Sequence, residues 1–179
     1  MPIRIFNTFD DPLASTGSTL AFGVNDTDQI VGYYQNGSGN HGFLLSGGIY
    51  TTLDDPSATL GTIAQGINSL GQIVGFYDNA SGNHGFLLSG GTYTTLNDPS
   101  ATHGTVAFGV NAAGQIVGYY TDNNGDHGFL YDPNSGVFPP TSPSMIPWPT
   151  TSPLHEASTA SARSSGTISI TPISPTASS

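Results

Sequence analysis

The chain has 179 residues, a net charge of −10 and only two basic side chains, Arg4 and Arg163. That balance disfavours nucleic acid, because a phosphate backbone needs a Lys/Arg footprint that two arginines do not supply, and it equally disfavours docking on anionic lipid. Cysteine is absent, which excludes disulfides and thiolate metal sites, and no apolar run reaches the length of a membrane-spanning helix.

Lysine is absent and Glu156 is the only glutamate, whereas glycine occurs 24 times. A chain poor in helix formers and rich in Gly, Asn, Asp, Thr and β-branched residues favours short strands joined by tight turns. The dominant feature is self-similarity. HGFL begins at His41, His84 and His127, and QIVG begins at Gln29, Gln72 and Gln115, both in steps of 43. DDP or NDP ends at Pro12, Pro56 and Pro99, and SGNHGFLLSGG occurs at both 38–48 and 81–91. The units run from about 10 to 52, 53 to 95 and 96 to 138, preceded by an N-terminal strand.

In chain order, the second unit predicts four strands. They are GTIAQGIN from Gly61 to Asn68, GQIVGFY from Gly71 to Tyr77, HGFLLS from His84 to Ser89 and GTYTTL from Gly91 to Leu96. The links between them are short enough for antiparallel hairpins. The link into each new unit, DDPSATLG at 54–61, is longer and suits a crossing segment. The second strand carries Gln72, Val74 and Phe76 on one side and Ile73, Gly75 and Tyr77 on the other. A strand apolar on both sides must be covered on both. Ala64 and Gly66 keep one side of the first strand small.

These features predict an all-β fold of tandem four-stranded antiparallel sheets, a partial β-propeller-like arc of three blades. The alternative is an open β-solenoid or a row of stacked sheets. A closed propeller has about four to eight blades. Three units therefore predict an exposed apolar blade face and self-association through that open blade edge.

After Phe138 the composition changes, and only Gly166 represents glycine in residues 139–179. A Ser/Thr/Pro-rich tail predicts disorder. Read one frame over, codons for Ser161 to Ser169 can spell GQIVGYYQ, a near copy of 28–35. Ser144–Pro147, Glu156–Thr159 and Pro175–Ser179 similarly permit DDP, GVN and HGFL, in the order of the repeat. The tail therefore reads as a frameshifted fourth repeat. Residues 1–7 show no secretory signal, which leaves the chain inside the cell or its true start upstream.

GINSLGQIVGFY, followed by HGFL and a Gly-Gly turn, resembles the HAF-type bacterial extracellular repeat over roughly 1–138. The family's His-Ala-Phe triplet is His-Gly-Phe here throughout. The resemblance implies an exported or surface protein and supplies no catalytic residues.

The candidate chemistry repeats with the units. His41, His84 and His127 open each third strand; a metal ring is conceivable there, but one structural hydrogen bond per unit is the expected role. Asp11, Asp55 and Asp98, with Asp10, Asp54 and Asn97 before them, precede proline and are expected to cap turns rather than act as paired carboxylates. The loops 36–40, 78–83 and 121–126 are oxygen-rich, and Asp122 and Asp126 make the third the best calcium candidate, although none has a calcium-loop spacing. Tyr33, Tyr34, Phe76, Tyr77, Tyr119 and Tyr120 are expected to pack between blades rather than form a sugar platform. His103 stands where the previous unit has Leu60.

No GxSxG, Walker loop or HExxH occurs. The expected function is a non-enzymatic repeat scaffold at the surface or outside the cell, with no catalytic residues and no cofactor other than calcium. Its loops would bind protein or glycan, and nucleic acid and membrane insertion are not expected. The alternatives are a glycan-active propeller enzyme and a truncated, frameshifted fragment without function.

Overall fold

A computed structural model describes residues 5–133. Among them there are eleven strands and no helix. The first unit contains β1 (Thr19–Val24), β2 (Ile30–Asn36), β3 (Gly39–Ser46) and β4 (Ile49–Leu53). The second contains β5 (Gly61–Ile67), β6 (Ile73–Asn79), β7 (Gly82–Ser89) and β8 (Thr92–Leu96). The third contributes β9 (Gly104–Val110), β10 (Ile116–Asp122) and β11 (Gly125–Tyr131). The end of the third unit and the tail at 139–179 lie outside the described residues, as do residues 1–4 of the expected N-terminal strand; residues 5–18 carry no strand.

Within a unit, consecutive strands pair antiparallel. Between units the ladder narrows to one parallel pair, Asn40 with Gly61 and Asn83 with Gly104. The result is one open, non-closed sheet system with β1 and β11 at the ends of its path. The first strand of each unit touches that of the next, and β2 and β6 lie against β5 and β9. This is the open stacked-sheet arrangement.

Local chemistry explains the hairpins. Ser46 pairs with Ile49 around Gly47 and Gly48, whose φ values of +57° and +82° are open to glycine but strained for other residues. Between β5 and β6, Asn68 Oδ1 accepts the N–H groups of Leu70 and Gln72, each at 3.0 Å. Asn25 and Asn111 close the equivalent turns in the same way. Each first strand also bulges at one position, Phe22, Gln65 or Phe108, where the register slips by a residue.

Two apolar clusters hold the stack together, and they are built alike. Val31, Leu44 and Leu53 of the first unit meet Ala64, Ile67, Ile73, Tyr77, Phe86 and Leu88 of the second. Val74, Leu87 and Leu96 of the second meet Ala107, Val110, Ile116 and Phe129 of the third. Each unit thus has a forward face and a rear face. In β6 both are covered, with Ile73, Val74 and Tyr77 all buried.

Candidate functional site

His41 and His84 lie where hairpin, strap and neighbouring unit meet. Here "strap" denotes the crossing link, such as residues 54–60, that follows β4. His41 opens the apolar part of β3, and its ring stacks on Tyr34 at 5.1 Å. His84 on Tyr77 and His127 on Tyr120 repeat the stack at 5.1 and 5.0 Å. In His41 and His84 the stacking presents both ring nitrogens edge-on to polar groups.

In the first unit, His41 Nε2 lies 2.8 Å from Ser38 Oγ, and Nδ1 lies 3.0 Å from Asp54 Oδ2. Hydroxyl, imidazole and carboxylate are thus linked in the order of a serine hydrolase. Two features favour a turn lock instead. Ser38 has one hydroxyl proton and donates it to Asn36 Oδ1 at 2.6 Å. The second unit keeps the arrangement with an amide in place of the carboxylate: Ser81 Oγ is 2.8 Å from His84 Nε2, and Asn97 Oδ1 is 3.0 Å from Nδ1. His41 and His84 therefore tie the β2–β3 and β6–β7 hairpins to the start of the strap. In the third unit, His127 Nε2 donates to Asp122 Oδ1 at 3.1 Å.

Asp11, Asp55 and Asp98 sit at the strap's turn. Their Oδ1 atoms accept the N–H groups of Leu13, Ser57 and Ser100, each at 2.8 Å. Their own N–H groups donate to the hydroxyls of Thr19, Thr62 and Thr105 at 3.0 Å. Oδ2 of Asp11 and of Asp55 is buried without a hydrogen-bond partner among the described residues.

Asp122 and Asp126 are not brought together. Asp126 opposes Thr121 and accepts its hydroxyl at 2.7 Å, whereas Asp122 lies on the other face of the hairpin with His127. The N–H of Asn124, helped by His127, holds the Asp122 carboxyl below its usual range. Among the described residues no three ligating side chains gather. Tyr34 and Tyr77 are buried, while Tyr33 and Tyr119 pair with the bulge residues Phe22 and Phe108 at 5.7 and 5.5 Å.

The histidines open onto two clefts, each of about 140 Å³. The first is lined by Ser38, Asn40, His41 and Asp54 together with Thr59 and Leu60 of the strap and Gly61 at the start of β5. The second repeats it with Ser81, Asn83, His84 and Asn97 together with Thr102, His103 and Gly104. The copies differ at Asp54/Asn97 and Leu60/His103, both on the strap. Sequence reasoning missed Ser38, Ser81 and the pairing of Asp54 or Asn97 with histidine. The available signal was a serine three residues before histidine in two of the three units.

Against the strap at 54–60, burial and then the nearby carboxylates of Asp55 and Asp54 push the Tyr93 hydroxyl up to about 12 from its usual 10.0. The folded state therefore favours the neutral phenol. Stability from this group is intact below pH 10.0 and is lost as pH rises towards about 12. Tyr93 is only partly enclosed, so the loss is expected to be about 1 kcal/mol. Urea midpoints at pH 9 and pH 11.5 should fall further apart in the wild type than in Tyr93→Phe. Equal falls would contradict this account.

Comparison with known proteins finds no matching family model and no matching curated protein.

Proposed function

We propose that the array is a non-enzymatic binding scaffold whose repeated clefts hold successive units of one hydroxyl-rich ligand, a glycan chain. The observation that carries this reading is the recurrence of one polar cleft at a 43-residue step on a stacked framework. Hydroxyl, amide and imidazole groups converge at its mouth, and these are the donors and acceptors that sugar hydroxyls need. Within the cleft lining the two differences between copies, Asp54/Asn97 and Leu60/His103, both fall on the strap, which is where loop variation would set specificity. The resemblance to HAF-type repeats supports a place at the cell surface or outside the cell.

Calorimetry against a panel of oligosaccharides tests the proposal. His41→Ala and His84→Ala are each expected to weaken binding about tenfold, with the double variant losing it. Unchanged melting temperatures would show that the loss is local. Absence of binding across the panel, or full binding by the double variant, would overturn the reading.

The hydroxyl–imidazole–carboxylate chain of Ser38, His41 and Asp54 is the one observation favouring an enzyme. That reading requires ester hydrolysis that disappears in Ser38→Ala and persists in Ser81→Ala.

A further inference from the structure

The two internal interfaces share more than apolar packing. Asn25 Nδ2 donates to the Asn68 carbonyl at 3.0 Å, and Asn68 Nδ2 donates to the Asn111 carbonyl at 2.8 Å. The same amide thus crosses each junction to the same carbonyl one unit on. At the end of the series, Asn111 Nδ2 bonds only Gln115 Oε1 among the described residues, at 2.8 Å. At the start, among the described residues, the Asn25 carbonyl receives only the N–H of Asp28, whereas that of Asn68 receives both Gly71 N–H and Asn25 Nδ2. A spare donor at one end of the array matches a spare acceptor at the other.

The apolar faces match in the same sense. On the forward face of the third unit, Val117 is 48% exposed where its counterparts Val31 and Val74 are 0%. Leu130 beside it is 50% exposed. On the rear face of the first unit, Val24 is 64% exposed where Ile67 is 8%, and Ala21 is exposed where Ala64 and Ala107 are 0%.

Gly109 adds an independent observation. At its counterparts Gly23 and Gly66, a Cβ would fall 2.9 and 2.7 Å from the carbonyl oxygens of Gln65 and Phe108 in the next unit, so neither position admits a side chain. At Gly109 a Cβ would meet only Val117 Cγ2, at 3.5 Å, which is ordinary contact. Glycine occupies this site although nothing within the described residues crowds it, as if a further backbone were to approach.

We infer that the forward face of the third unit and the rear face of the first are two halves of one interface, and that their occupant is a second copy of this chain docked head to tail. In that contact Val117 and Leu130 of one copy cover Ala21 and Val24 of the next. The Asn111 amide reaches the partner's Asn25 carbonyl, and the partner's backbone at Phe22 passes over Gly109. The contact repeats the geometry already built twice within the chain. Because its halves differ, it is heterologous and propagates into a ring or an open series.

Analytical ultracentrifugation of the full chain from 1 to 200 μM should show mass rising with concentration. Val24→Asp and Val117→Asp change exposed side chains and should each remain folded by circular dichroism, with the dissociation constant raised about tenfold or more. Each variant keeps one good half, so an equimolar mixture is expected to form a discrete dimer that neither forms alone. A monomeric wild type at every concentration would overturn the inference and mean that the faces are covered from within the chain. Full self-association by either variant alone would overturn it too, because the contact would then join like faces.

Discussion

Gly75→Ala is expected to unfold the array from its middle. A Cβ at this position would lie 2.0 Å from the carbonyl oxygen of Ile63 and 3.0 Å from Ala64 Cα, both backbone atoms of the paired strand β5. No rotamer change relieves such a clash, so the β5–β6 ladder must open beside the bulge at Gln65. Gly32 and Gly118 occupy the same place in the other units, with their own Cβ positions 1.9 and 2.0 Å from a carbonyl oxygen. Overpacking of a rigid core costs about 1–3 kcal/mol, and a clash with the backbone of a paired strand belongs at or above the top of that range. Gly37→Ala is the control, since nothing lies within 4 Å of its Cβ position, and it should stay within about 0.5 kcal/mol of wild type. Urea denaturation compares the two, and a Gly75→Ala midpoint equal to wild type would mean that the strands do not approach this closely.

Phe86→Ala should cost about 3–5 kcal/mol, the range for emptying a fully enclosed aromatic site. The side chain is 0% exposed, meets Tyr93 edge-on at 5.4 Å and lies in the cluster that also contains Val31 and Leu53 of the preceding unit. The cavity would therefore weaken a junction as well as a sheet. Hydrogen exchange should accelerate in β2 to β4 as well as in β5 to β8. Ile49→Ala, on a residue 71% exposed, should change stability by less than about 0.5 kcal/mol. Acceleration confined to the second unit would show that the units do not share this core.

The strands of the second unit were legible because apolar pattern and turn residues agree there. Gly61–Ile67 and Thr92–Leu96 fall within a residue of the expected segments. The third strand begins at Gly82 rather than His84, because Gly82 pairs with Asn79 to close the hairpin. Apolar residues on both sides of β6 announced neighbours on both sides, and both are present. The bulges were not legible. Every unit carries the extra residue at Phe22, Gln65 or Phe108, so alignment of the repeats shows no insertion.

The candidate site was legible only in part. The histidines stood out as a repeat, and so did the aspartates that precede proline. Their partners did not, because His41 meets Asp54 across a strand and a turn, thirteen residues away. Period-two alternation says which face of a hairpin a residue occupies, not which strap folds over it. The calcium candidates fail to converge for the converse reason. Asp122 and Asp126 are close in sequence, but alternation around the hairpin sends them to opposite faces.

The backbone ladder between units thins to the single pairs Asn40–Gly61 and Asn83–Gly104. Almost nothing in one sheet's hydrogen bonding depends on the sheet before it, and the side chains at each junction are the same kind from copy to copy. A gene that gains or loses one whole 43-residue module preserves every remaining junction. Module number is thus a quantity that recombination can change in one step, with no compensating substitutions, and with it the reach of the clefts along the array.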